Sequence, residues 1–215
     1  TFSDLFTNRQ LTALCSFSDL IPEVKERAYN HALKRGMKDD GKGLADGGKG
    51  TKAYSEAIGV YLALAIGRLS NRGSTLSIWN STGEKVEQTF MRQAIPMTWD
   101  YAEANTFSDS TGSWSGSLSW IPKVLEQLSV VATIPGFISN MDARGINMPR
   151  KVMFSTDPPY YDNIGYSDLS DFFYIWHKRS LNEIYPDLYR TIMTPKADEL
   201  VASPYRHNGN AEEAK

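Results

Sequence analysis

The sequence predicts an α/β fold, and three stretches carry that prediction. The apolar run Val152-Met153-Phe154 has the composition of a buried strand and is followed closely by Pro158 and Pro159, which lack the N–H that a sheet ladder needs. Residues 74–80 and 84–90 read as two further strands around the turn Ser81-Thr82-Gly83, a β-hairpin. Residues 168–181 carry Leu169, Phe172, Phe173, Trp176 and Ser180 on one helical face, and this helix is expected to pack on the sheet. Strand pairing would then end near Asp157. That leaves a carboxylate, two ring-locked carbonyls and the Tyr160 ring beyond the carboxyl end of a strand, where open α/β sheets bind ligands.

In chain order, Thr7-Asn8-Arg9-Gln10 has the spacing of a capping box and starts a first helix containing Leu11, Leu14 and Cys15. A second helix runs from near Pro22 to Gly36, with proline in the first turn and glycine at the left-handed stop. Residues 39–51 form a glycine-rich connector, expected to be flexible. From 52 to 71 the positions Tyr54, Ile58, Tyr61, Leu62, Ala65, Ile66 and Leu69 recur at helical spacing and predict one buried stripe. Within 91–107, Arg92, Asp100, Glu103 and Asn105 form a polar set that suits either a cleft or a surface. Residues 106–119 are rich in Ser and Gly, a mobile connector by composition, before a helix over 120–131. The chain thus divides into a helical segment over 1–38, the connector over 39–51 and a larger unit over 52–215.

At 215 residues, 41% hydrophobic and 22% charged, the composition is that of a globular protein with room for a sizeable core. No apolar run approaches membrane-spanning length and no basic leader precedes an apolar core, so a cytoplasmic setting without a membrane partner is expected. The start at Thr1 and the unpatterned tail over 208–215 suggest a segment of a longer protein. Cys15 is the only cysteine, which excludes an internal disulfide and a four-cysteine zinc site. A net charge of −2 is a poor footprint for an autonomous DNA-binding domain. Two basic clusters, Arg144 with Arg150 and Lys151, and His177-Lys178-Arg179, flank the proline motif and read as solvated charges.

Several near-motifs fail at the residue that would carry chemistry. Gly43, Gly48 and Lys49 match a phosphate loop, but Gly50 stands where Ser or Thr would hold magnesium. Gly48 to Ala53 has dinucleotide-fingerprint spacing, yet a helix rather than a strand precedes it. Gly112-Ser113-Trp114-Ser115-Gly116 has Trp where a hydrolase elbow needs Ser. His31, His177 and His207 are isolated, and Asp168 and Asp171 read as helix-start carboxylates, so no metal site is expected.

Asp157-Pro158-Pro159-Tyr160 is the motif of the S-adenosylmethionine-dependent amino-methyltransferases, and by residue usage it arises by chance in on the order of one in a thousand chains of this length. The run from Thr156 to Tyr166, with Ser170-Asp171-Phe172-Phe173-Tyr174 and Trp176, resembles the adenine-specific DNA methylases that often carry a zinc ribbon. Similar stretches are Asp4-Leu5-Phe6-Thr7 with Arg9-Gln10-Leu11, Phe90 with Arg92-Gln93-Ala94 and Pro96, 99–105, and Thr194-Pro195-Lys196 with Glu199-Leu200-Val201-Ala202. The resemblance implies part of a Rossmann-like methyltransferase sheet and makes 52–215 a partial catalytic domain. It also implies S-adenosylmethionine as methyl donor and DNA as partner, with the adenine flipped out of the duplex.

By that resemblance Asp157, Pro158, Pro159 and Tyr160 are the catalytic residues, and Tyr160, Tyr161 and Asn163 hold the target base. The adenine amine is a weak nucleophile because its lone pair is delocalised into the ring. Acceptors at Asp157 and at the Pro158 carbonyl, aimed at its N–H bonds, would favour pyramidalisation. No glycine-rich donor loop follows a strand in these residues, so the donor site is expected in the remaining part of the polypeptide. The zinc ribbon is likewise absent. Cytosine N4 and RNA amines are alternative acceptors for the same motif, and a non-catalytic DNA-recognition or assembly module of a restriction or defence system is the alternative from another class.

Overall fold

The computed structural model describes residues 2–131, 136, 138–142, 145, 151–158, 161, 164–197 and 199–214. Its helices are α1 (Asn8–Asp19), α2 (Ile21–Lys34), α3 (Thr51–Ser70), α4 (Trp114–Leu118), α5 (Trp120–Val131) and α6 (Tyr166–Leu181). Short 3-10 turns stand at Phe2–Leu5 and Pro204–His207, and strands β1 (Trp79–Asn80) and β2 (Lys85–Val86) form a hairpin. The long helix α3 is central, packing against α2 and α6 and also touching α1 and α4.

The helix ends follow from local chemistry. Thr7 caps α1 through a complete capping box: its hydroxyl accepts from the Gln10 N–H, and the Gln10 side chain accepts from the Thr7 N–H. The α2 helix closes on Gly36, whose φ of 84° lies in the left-handed region that glycine occupies without strain. There the Gly36 N–H donates to Leu33 and the Met37 N–H to Ala32, the paired bonds of a Schellman stop.

The expected buried stripe of α3 is refined by its neighbours. Tyr54 and Tyr61 of the expected stripe are exposed, while Ala53, Ser55, Gly59, Ala63, Gly67 and Ser70 are buried. Small residues bring neighbouring groups close. A Cβ on Gly59 would meet the Lys25 side chain of α2, and one on Gly67 would lie 2.6 Å from Nε2 of His177 on α6. The burial of α3 therefore wraps around the helix instead of following one large-residue stripe.

The connector over 39–51 is tied down rather than loose. Asp39 accepts from the Gly41 and Lys52 N–H groups and from the Tyr29 hydroxyl, and Asp40 accepts from the Lys42 and Lys49 N–H groups. Glu56 of α3 accepts from the Leu44 N–H at 2.5 Å. A Cβ at Gly48 would run into the Lys42 and Gly43 carbonyls, so close backbone approach explains that glycine. The serine-rich stretch over 106–119 is likewise organised, with Ser113 capping α4 by accepting from the Gly116 N–H.

The hairpin forms in the expected place but is short, pairing Trp79 with Val86 and Asn80 with Lys85 antiparallel. Its turn is closed by the Asn80 side chain, which accepts from the Thr82 and Gly83 N–H groups. Behind it the hydroxyls of Ser74, Ser77 and Thr89 form a fully buried cluster, with Ser74 Oγ and Thr89 Oγ1 2.7 Å apart. Mutual hydrogen bonds make that polar burial tolerable.

The expected Rossmann-like sheet does not occur among the described residues; the fold mixes helices with this one two-stranded antiparallel sheet. Residues 151–158 take no regular structure and are exposed, Met153 to 95% and Phe154 to 67%. The physical reason lies in the nature of a strand: its backbone groups bond only to a neighbour, and among the described residues no strand lies beside this one. Accordingly α6 packs on helices instead of a sheet. Phe172, 1% exposed, is surrounded by Phe6 (ring centroids 5.3 Å), Phe90 (5.1 Å) and Phe173 (5.1 Å), and Trp176 meets Phe6 edge-on. No described helix is long and apolar enough to cross a membrane.

Phe172→Ala should therefore cost about 3–5 kcal/mol of folding stability, whereas Met153→Ala should change it by less than about 0.5 kcal/mol. Chemical denaturation of both variants against the parent measures the contrast, and equal losses would contradict this core.

Candidate functional site

Of the motif residues, Asp157, Pro158 and Tyr161 are described, while Pro159, Tyr160, Asp162 and Asn163 lie outside the described residues. Asp157 and Pro158 are exposed and follow the irregular run over 151–156, so the expected placement beyond the carboxyl end of a strand is replaced by an open loop. Tyr161 is exposed with a φ of 47°, and its carbonyl accepts from the Ala202 N–H at 2.9 Å. Ile164, next to the helix, is buried. The motif segment is thus anchored on its carboxyl side by the 199–206 region and by the start of α6.

That anchor is a network of side chains from distant segments. The cap position of α6 is Gly165, which has no side chain to offer the helix start. Glu199 supplies the missing acceptor, taking the Ser167 N–H at 2.9 Å and the Ser167 hydroxyl at 2.6 Å. Arg206 then joins both carboxylates, at 2.7 Å from Glu199 and 2.8 Å from Asp168, and donates to the Lys196 carbonyl at 3.0 Å. The Tyr205 hydroxyl also donates to Asp168. One turn later, Asp171 is 3% exposed and accepts from the Thr194 N–H (2.8 Å), the Thr194 hydroxyl (2.6 Å) and Lys196 Nζ (2.6 Å).

Electrostatically the network is balanced. Burial acts to raise the Glu199 carboxyl, but hydrogen bonds from Ser167 and Arg206 outweigh it and hold its pKa below the ordinary value. At Asp168 burial is similarly outweighed by bonds from Tyr205 and Arg206. Burial opposes the Arg206 charge, while Asp168 and Glu199 raise its pKa above the usual guanidinium value. Reading Asp168 and Asp171 only as helix-start carboxylates missed these partners. Thr194, Lys196 and Glu199 were visible as a stretch of resemblance, but a side chain reaching across more than 20 residues leaves no periodic mark in sequence.

Other expected site residues have definite places. Glu103 accepts from two Arg9 nitrogens, Nε at 3.1 Å and Nη2 at 2.6 Å, and from the Thr7 hydroxyl at 2.9 Å, so two stretches of the resemblance meet there. Arg179 pairs with Asp19 at 2.8 Å, and Lys178 donates to the Thr191 carbonyl. His177, expected to be solvated, is largely buried, and its Nε2 is buried without a partner facing Gly67. Burial pushes its pKa down. Arg144 and Arg150 lie outside the described residues, and Lys151 is exposed.

The glycine-rich segment that nearly matches a phosphate loop has its Gly41, Lys42, Lys49 and Lys52 N–H groups bonded to Asp39 and Asp40, and those carboxylates would repel a phosphate there. No group of three or more His, Cys, Asp or Glu side chains suited to a metal ion occurs among the described residues. Comparison with protein-family models, with curated proteins and with solved structures found no match.

Arg206→Met would leave the Glu199 and Asp168 carboxylates without their shared cation, a loss of about 3 kcal/mol measurable by urea denaturation. His177 adds a pH dependence of known sign. Its folded pKa lies below the unfolded value of about 6.5, so the unfolded chain binds the proton first. Its contribution to stability should decline as pH falls below that value, and His177→Phe should flatten this part of the pH–stability curve. An unchanged curve would contradict the burial of His177.

Proposed function

We propose that this chain is part of an S-adenosylmethionine-dependent DNA methyltransferase that methylates the exocyclic N6 amine of adenine, with the donor-binding portion supplied outside these residues. The observation that carries this reading is the sequence Asp157-Pro158-Pro159-Tyr160, with Asp157 exposed on an open loop that is tied to α6 on its carboxyl side. The meeting of resembling stretches supports it: Asp171 with Thr194 and Lys196, Ser167 with Glu199, and Arg9 with Glu103. Five aromatic residues from three such stretches, Phe6, Phe90, Phe172, Phe173 and Trp176, pack together as well.

In this reading the Asp157 carboxylate and the Pro158 carbonyl accept hydrogen bonds from the two N–H groups of the target amine. Those bonds favour the pyramidal nitrogen whose lone pair attacks, and they require no nucleophilic side chain from the protein. Pro158 has a ring-locked φ, which limits the reorganisation of its carbonyl. A neutral amide retains an acceptor without its charge, which ranks the substitutions at this position. Val152-Met153-Phe154 is then the strand that pairs with the sheet of the complete domain.

In the full-length protein, Asp157→Ala is expected to abolish methyl transfer, with Asp157→Asn losing less, and neither should lower the unfolding temperature because the side chain is exposed. Transfer from labelled donor into DNA, digested to nucleosides, should yield N6-methyladenine. Full activity in Asp157→Ala would end the proposal, and N4-methylcytosine as product would replace its substrate.

A further inference from the structure

Among the described residues, Glu84, Tyr161 and Asn208 are the non-glycine residues with a positive φ. Glu84 turns the hairpin and Asn208 caps the second 3-10 turn, whereas Tyr161, at 47°, directly follows Tyr160 of the proline motif. A left-handed backbone is sterically costly for a bulky residue and persists only where surrounding contacts hold it. Here those contacts come from the carboxyl-terminal segment. The Tyr161 carbonyl accepts from the Ala202 N–H, and Ala202 sits in a tight run in which the Val201 N–H donates to Glu199 at 2.8 Å and the Ser203 N–H to Val201 at 3.0 Å. Glu199 and Arg206 close this run onto the start of α6 through Ser167 and Asp168. Gly165 is packed against the same group: a Cβ there would lie 2.9 Å from Asp168 Oδ2 and 3.4 Å from the Tyr205 hydroxyl. The chain leaving the motif is therefore held by a backbone bond at Tyr161, a buried side chain at Ile164 and a close backbone approach at Gly165.

We propose that Glu199 and Arg206 are positioning residues for methyl transfer: by fixing the 199–203 run against α6 they hold Tyr161 in its left-handed conformation, and so set the direction in which the motif chain runs back toward Asp157. This role rests on the methyltransferase reading of the motif. Released from Ala202, Tyr161 would rotate toward negative φ, where an L-residue is unstrained, and the chain on its amino-terminal side would turn with it. Transfer requires the target amine and its acceptors to be aligned, so a turned chain slows the reacting step and leaves donor binding alone. Stability by itself does not call for this contact. Thr194 and Lys196 already tie the same segment to the same helix through Asp171, with no bond to the strained residue.

The test compares the full-length protein with four variants, measuring kcat and donor KM per folded molecule and hydrogen exchange at the Ala202 amide. Arg206→Met removes the shared cation, Arg206→Lys keeps a charge without the fork that spans both carboxylates, and Glu199→Gln keeps an acceptor for Ser167. Lys196→Met breaks the neighbouring pair with Asp171 and leaves the path to Tyr161 intact. Arg206→Met should lower kcat about 10- to 100-fold at unchanged donor KM and speed Ala202 exchange. Arg206→Lys and Glu199→Gln should fall between it and the parent, and Arg206→Lys carries the test if Arg206→Met does not fold. Lys196→Met should lose stability but keep kcat. Full kcat in the Arg206 variants, unchanged Ala202 exchange, or an equal loss of kcat in Lys196→Met would overturn the positioning role and leave the methyltransferase reading in place. A parent that transfers no methyl group, yet shows Ala202 exchange dependent on Arg206, would overturn that reading and the positioning role with it.

Discussion

The position of Phe172 is the constraint on which most of this structure depends. A single buried ring on α6 receives Phe6 from the amino-terminal turn, Phe90 from the segment after the hairpin and Phe173 from its own helix. Aromatic residues bury large areas and tolerate only a few mutual geometries, so such a cluster fixes orientation as well as proximity. Removing α6 from this contact would release both the first helix and the loop over 88–93. The helix α3 completes the arrangement from the other side, where Gly67 leaves just enough room for His177.

A second constraint is polar and acts at the start of α6. Helix starts leave four N–H groups unsatisfied, and Gly165 provides no side chain for them. Glu199 takes this role from far along the chain, and its own charge is answered by Arg206. The result is a joint between the carboxyl-terminal segment and the residues that follow the proline motif. Charges at 12–15% side-chain exposure are acceptable here because each has several hydrogen-bonding partners. A change in this joint would reach the motif through Tyr161 and Ala202, whose backbone groups are bonded directly.

The contrast between the two apolar stretches that flank the motif is instructive. α6 satisfies its backbone internally and needs only a surface to cover its aromatic face, which α1, α3 and the Phe90 segment provide. Val152-Met153-Phe154 has equally apolar side chains but strand chemistry, and a strand without a neighbour has neither paired backbone nor shielded side chains. Similar hydrophobicity therefore leads to burial in one case and to exposure in the other.

The helices were legible in the sequence because their determinants are local. Thr7 and Gln10 are three residues apart, Pro22 and Gly36 mark the ends of α2, and Phe172, Phe173 and Trp176 share one face within a single turn or so. The hairpin was legible through Asn80 and the turn after it, although its paired length depended on which strand residues were needed elsewhere: Ser77 and Thr89 turn to a buried hydroxyl cluster. Tertiary structure decided the rest. It set the order in the glycine-rich segment through carboxylates at Asp39 and Asp40, the small-residue burial of α3, the partners of Asp168 and Asp171, and the absence of a neighbour for Val152-Met153-Phe154 among the described residues. The physical reason is common to all four: a cap or a periodic face is written within a few residues, whereas a strand partner, a close helix crossing or a long-range ion pair depends on what another part of the chain brings into reach.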